Sequence, residues 1–194
     1  MPDRDVKTVR DQIYFQYAKI AARSAFNCKD GEEAKRKHYG FIKTMLRDLQ
    51  SGRKSWSDIE REDWLLVDSE KKCVYCGATG NLSREHIVPK SLNIKPECKD
   101  CDTIHGIHNQ VWACKNCNSK KGTKGLYEFY EELHPDDEKS YDRLPRILEG
   151  KYLKTIFKCH ECAGTLDSGD LDGDGLVRVW ELDWVVRSME CEGF

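Results

Sequence analysis

The chain has 194 residues, 39% of them hydrophobic and 34% charged, with a net charge of −2. That length accommodates one core, or one core with small satellites, and the composition is wet without reaching that of a disordered chain. Residues 1–30 lack the apolar segment of a secretory signal and no long apolar run follows. Neither export nor a membrane span is expected, and the expected location is cytoplasmic.

In chain order, residues 1–70 read as a helical N-terminal region. Val6, Val9, Ile13, Tyr17, Ile20 and Ser24 recur at three- and four-residue steps and form one apolar stripe. A second helix is expected from Asp30, with Glu33 as its capping-box partner. It carries Phe41, Ile42, Met45, Leu46 and Leu49 and ends at Ser51-Gly52. Ser55 or Ser57 opens a short third helix carrying Ile59 and Trp64. These stripes read as packing surfaces. Residues 71–125 change to short segments, turns and cysteine pairs. Helix returns in residues 126–194: Leu126 to Leu133, then about Tyr141 to Phe157 with a bend at Pro145, and Glu181 to Met189 after a Gly/Asp-rich loop.

The charge divides unevenly. Residues 71–125 carry ten Lys/Arg against four Asp/Glu, whereas residues 126–194 carry eight against seventeen. A polyanion would meet the basic middle rather than the acidic end.

Eight of the ten cysteines form CxxC pairs: Cys73/Cys76, Cys98/Cys101, Cys114/Cys117 and Cys159/Cys162. Without a secretory signal, that pattern favours metal thiolates over disulfides. Cys28 and Cys191 read as small buried hydrophobes. A CxxC turn presents two thiolates from one knuckle, and Cys73-Val-Tyr-Cys76-Gly with Cys114-Lys-Asn-Cys117-Asn supplies the four ligands of a structural zinc. Two knuckles on one ion close the intervening segment without a large core. A second zinc is expected on Cys98, Cys101, Cys159 and Cys162, pinning the C-terminal segment. The competing set, Cys98, Cys101, His105 and His108, leaves only three residues between its ligand pairs.

The stretches CVYCG, REHIVPKSL and HNQVWACKNCNSKKG, in that order, resemble the HNH endonuclease family, the zinc-stapled ββα-metal nucleases whose motif runs CxxC, EHIxPxSL, CxxCN. The resemblance covers residues 71–125. It implies a two-stranded hairpin and a helix with the active site in the groove between them. By position it makes His86 the general base and Asn109 the residue that holds the loop carrying it. Glu85 and Asn118 become the holders of one catalytic Mg²⁺ or Mn²⁺, while Lys90, Lys115, Lys120, Lys121 and Lys124 line the groove and meet phosphates. A neutral imidazole suits the base near pH 7, and a hard cation on oxygen ligands suits the departing 3′ oxygen. The last motif position is Asn rather than His, and the acidic one Glu rather than Asp. His105 and His108 could add a ligand or a phosphate contact.

Residues 170–181 read DLDGDGLVRVWE. Asp170, Asp172, Asp174, Gly175 and Glu181 occupy positions 1, 3, 5, 6 and 12 of a calcium loop, with Leu176 offering its carbonyl and Val177 the apolar eighth position. The stretch resembles EF-hand and dockerin loops, without a good entering helix.

The fold expected is therefore α+β and mostly helical: a ββα-metal core with a structural zinc at 71–125, helices before it, and a helical C-terminal segment with a calcium loop after it. The function expected is metal-dependent hydrolysis of phosphodiester bonds in DNA, with 5′-phosphate and 3′-hydroxyl products as the resemblance implies. RNA as substrate stays open. The alternative is a non-catalytic zinc module that binds nucleic acid or a protein partner.

Overall fold

The computed structural model describes residues 4–26, 32–55, 71–90, 102–136, 144–171 and 173–183. The fold is α+β and mostly helical, with one small two-stranded sheet. Helices α1 (Val9–Phe26) and α2 (Glu32–Gln50) precede strand β1 (Leu82–His86). A single turn α3 (Asp102–His105) and a 3₁₀ turn (Ile107–Asn109) lead into β2 (Gln110–Cys114), followed directly by α4 (Lys115–Lys121). Helices α5 (Leu126–Leu133) and α6 (Arg146–Ala163) and a 3₁₀ turn (Val179–Asp183) complete the described chain.

Helix α1 starts with Thr8, whose hydroxyl accepts from the Asp11 amide while the Asp11 carboxylate accepts from the Thr8 amide, both at 3.1 Å. This reciprocal cap satisfies amides that the first turn leaves without helical partners. Two further amides, of Val9 and Arg10, donate to the carbonyls of Ser168 and Leu166, and the Arg10 side chain pairs with Asp167. The helix is thereby tied to the segment after α6.

The single stripe expected for α1 is too narrow. Val9, Ile13 and Ile20 enter the main core, while Phe15, Ala18 and Ala22 pack on Ile42 and Leu46 of α2. A helix held between two partners is buried on more than one side, so Gln12 and Gln16 are buried as well. Helix α2 ends as expected, with Gly52 at φ 70 and its amide on the Leu49 carbonyl. The short helix expected after Ser55 lies outside the described residues.

Helix α6 begins at Arg146, with Pro145 at its N-cap rather than as a bend inside it. Proline has no amide to donate and disfavours helix in the residue before it. The helix runs past Phe157 to Ala163, where Gly164 at φ 74 stops it. Of the expected last helix, residues 179–183 form a 3₁₀ turn and the remainder lies outside the described residues.

The sheet is antiparallel, with Leu82 opposite Cys114, Arg84 opposite Trp112 and His86 opposite Gln110. Those six side chains share one face, because alternate residues of a strand point the same way. The other face carries Glu85, Val111 and Ala113, all buried. One hydrophobic cluster joins Val9 and Ile13 of α1 to Ile87, Val111 and Ala113 around the sheet and to Tyr127, Tyr152 and Ile156 of α5 and α6. The Tyr127 and Tyr152 rings meet edge to face at 5.4 Å.

Gly125 closes the seam between α5 and the 3₁₀ turn 179–183. A Cβ there would run into the side chain of Asp183. Asp183 is fully buried and accepts from the Glu128 amide at 3.3 Å and from the Tyr152 hydroxyl. Gly125→Ala is expected to cost about 1–3 kcal/mol by overpacking, read as a lower urea midpoint; an unchanged midpoint would show that Asp183 yields freely.

Candidate metal centre and active-site face

The first cysteine knuckle is a turn in which Gly77, at φ 76, donates its amide to the Cys73 carbonyl at 2.8 Å. The second spans the junction of β2 and α4, where Cys114 is the N-cap and its sulphur accepts from the Cys117 amide at 3.5 Å. Val74 donates to the Trp112 carbonyl at 2.9 Å, which lays the first knuckle beside β2. One ligand atom from each of Cys73, Cys76, Cys114 and Cys117 lies within 4.8 Å of the others. A tetrahedral zinc with Zn–S bonds of about 2.3 Å sets its sulphurs about 3.8 Å apart. The Cys76 and Cys114 sulphurs are 3.7 Å apart. The donor set therefore fits zinc. The Cys117 amide draws the Cys114 thiol down to about 7, whereas burial pushes Cys117 up.

His86 closes β1. Its ring is half-buried, and its Nε2 is buried with no hydrogen-bond partner. Burial, reinforced by the positive fields of Lys90, His105 and Lys121, lowers its pKa to about 4, so the imidazole is neutral at pH 7. The loop that follows is clamped by Asn109, whose side chain is fully buried. Its Oδ1 accepts from the Val88 amide at 2.8 Å, and its Nδ2 donates to the carbonyls of Val88 at 2.7 Å and Ile104 at 2.9 Å. The Ile87 amide donates to the Asn109 carbonyl at 2.9 Å. One side-chain amide thus saturates three backbone groups that the interior would otherwise leave unpaired.

Glu85 faces away from His86, as neighbours on a strand do. Its carboxylate is buried beside Tyr75, with the Lys121 ammonium 3.2 Å from Oε1. Burial pushes the Glu85 carboxyl up and Lys121 pulls it back. Lys121 also donates to the His86 carbonyl at 3.3 Å. The sequence places Lys121 at the groove surface, but the structure buries its side chain fully. It sits in the last turn of a helix whose inner side covers Glu85, and a buried carboxylate needs a counter-charge. Lys121 offsets the charge of the buried carboxylate, whose two oxygens accept no hydrogen bond from the described residues. Asn118, half-buried in α4, stands one residue beyond Cys117. Among the described residues, the four cysteines are the group of His, Cys, Asp and Glu close enough to hold a metal. Lys90, Lys115 and Lys120 are exposed, and Lys124 pairs with Glu132 at 2.8 Å.

Comparison with protein-family models, with curated proteins and with solved structures finds no match.

The second zinc expected from sequence is placed only in part. Cys98 and Cys101 lie outside the described residues. Cys159 and Cys162 stand one turn apart on α6, the first buried and the second exposed. In the acidic loop, Asp170 accepts from the amides of Gly173 at 2.7 Å, Asp174 at 3.1 Å and Gly175. Glu181 is buried and accepts from the amides of Leu171 at 3.4 Å and Arg178 at 3.0 Å. Asp174 pairs with Arg178 at 2.7 Å, Leu176 is exposed and Val177 is buried. Asp172 lies outside the described residues. His105 and His108 are exposed.

The sequence reading missed the Glu85–Lys121 pair. The one available signal was the place of Lys121 in α4, three residues after Asn118. Replacing Lys121 by Ala strands a buried carboxylate and is expected to cost about 3–5 kcal/mol. The double change Glu85→Gln/Lys121→Met should recover most of that loss in a denaturant titration. Equal midpoints for Lys121→Ala and the native chain would mean the pair is not closed in solution. Elemental analysis of purified protein should find zinc at one per chain or more, and one fewer in Cys117→Ser.

Proposed function

We propose that the chain is an endonuclease that hydrolyses phosphodiester bonds in DNA, with His86 taking the proton from the attacking water. The observation that carries this reading is the state of His86. It is a neutral imidazole at a strand end, with a ring nitrogen that has no hydrogen-bond partner. A general base needs a lone pair not spent on another hydrogen bond, and a fixed ring. Asn109 supplies the last by fastening Val88, two residues on. Lys121 fastens the carbonyl of His86 itself. The order of cysteine knuckle, β1, β2, knuckle and α4 agrees with the ββα-metal core that the resemblance implies. A zinc on the four thiolates would be coordinatively closed and would act as a staple.

The divalent ion expected on Glu85 and Asn118 meets a carboxylate already paired with an ammonium, and the roles of His86, Asn109 and Lys121 do not pass through it. The same pairing favours a second reading, a non-catalytic zinc module that binds nucleic acid. The loop 170–181 is read as a calcium site of structural kind, supported by the inward-turned carboxylates of Asp170 and Glu181. Elemental analysis reads calcium alongside zinc, and protein purified with calcium present but free of it would end that reading.

Supercoiled plasmid with Mg²⁺ or Mn²⁺ separates enzyme from module. The chain should relax and linearise it, and His86→Ala should lose about 100-fold or more in rate while keeping its zinc. A His86→Ala protein that cuts at the native rate has another base; a native protein that never cuts is the binding module.

A further inference from the structure

On the sheet face that carries His86, the neighbouring cross-strand pair is Arg84 and Trp112. Trp112 is half-buried, and two cations lie over its ring, the Lys71 ammonium at 5.1 Å and the Arg84 guanidinium at 5.5 Å from the centroid. Beside the ring opens a groove of about 340 Å³ whose rim includes Ile107, Gln110 and Lys151. Its described lining holds three cations and no carboxylate. Lys151 props one wall by donating to the carbonyls of Ile107 at 3.3 Å and Gln110 at 3.0 Å. Gln110 ties the opposite ends together: its Oε1 accepts from Arg84 at 3.1 Å and its Nε2 donates to the His105 carbonyl at 3.2 Å.

Several features of this patch are those of a built surface. Arg84 and Lys71 are exposed, yet neither has a carboxylate partner among the described residues; Arg84 is steered by a neutral amide instead. Ile107, a large apolar side chain, is 51% exposed at the rim. An aromatic ring beside cations that have no carboxylate partner among the described residues is a combination that takes a stacked base and the phosphate attached to it. Charge complementarity selects a polyanion. The ring selects an unpaired base, because bases within a duplex are already stacked on one another. Gln110 lies opposite His86 on the ladder, so the groove leads along the sheet to the imidazole.

We infer that the Trp112 groove is a subsite for a single-stranded nucleotide flanking the bond at His86, with the base on the Trp112 and Arg84 planes and its phosphate between Arg84 and Lys71. The inference rests on the proposed nuclease reading for the word flanking, while the binding it describes is tested without cleavage.

Fluorescence anisotropy of a labelled single-stranded oligonucleotide, without added divalent ion, reads this directly. Trp112→Ala should bind about tenfold more weakly or worse, with Trp112→Phe between it and the native chain. Lys71→Gln and Arg84→Gln, both exposed and safe for folding, should each lower the slope of log affinity against log salt by about 0.7. Zinc content and thermal midpoint should stay at native values in all four. The same oligonucleotide annealed to its complement should bind with no dependence on Trp112. If the variants bind the single strand within twofold of the native protein, or if the duplex shows the same Trp112 dependence, the subsite is wrong. Plasmid cleavage that persists in such variants would leave the nuclease reading standing alone; Trp112-dependent binding without cleavage would leave the subsite standing alone.

Discussion

Four sulphurs from two distant turns converge at the base of the sheet, and the small sheet depends on that convergence. Two five-residue strands cannot hold together in water by their own hydrogen bonds. The knuckle at Cys73–Cys76 braces the outer side of β2 through the Val74 amide, and the knuckle at Cys114–Cys117 turns the end of β2 straight into α4. A metal that binds this cluster contributes its binding energy to folding. It also fixes the direction in which α4 leaves the sheet. Everything placed by α4, including Asn118 and the Lys121 ammonium, inherits that direction.

Beyond the cluster, the interior around β1 is organised by polar groups. Asn109 exchanges three hydrogen bonds with the backbone on either side of it. Lys121 reaches Glu85 and the His86 carbonyl from one buried position. Such groups add little net stability over an apolar replacement of equal shape, but their geometry is demanding, because any partial arrangement leaves a charge or an amide unpaired. An apolar cluster around Ile87, Val88 and Val111 would tolerate small shifts of β1; the polar set does not. This is a physical reason for the loop after His86 to hold one conformation.

The parts legible in the sequence were those written in spacing. Two residues between cysteines set a knuckle wherever the chain goes, so the four-sulphur cluster could be read from Cys73, Cys76, Cys114 and Cys117. The glycine stop of α2 and the helix Leu126–Leu133 were legible for similar local reasons. What stayed hidden was decided by partners far along the chain. The Val6–Ser24 stripe carried no sign that α1 is packed from two sides, because Phe15 and Ala18 are buried by a helix that the periodicity does not mention. Strand alternation opposes Glu85 to His86 without saying which of the two faces the interior. Only the ammonium of Lys121, brought there by α4, makes the inner side habitable for a carboxylate. Pro145 was visible as a break, yet whether a proline bends a helix or opens one depends on the residues before it.

The adjacency of Glu85 and His86 makes the register of β1 a matter of charge as well as of apolar burial. A slip of one residue against β2 would exchange the faces of every side chain in the strand. It would carry the imidazole and the Arg84 guanidinium inward against the Lys121 ammonium and take from that ammonium its carboxylate partner. Both consequences are electrostatic, and both oppose the slip independently of how well the apolar residues repack. Two neighbouring side chains of unlike chemistry thus act as a two-sided key for the strand. A pair of identical residues at those positions could not tell the correct register from the shifted one.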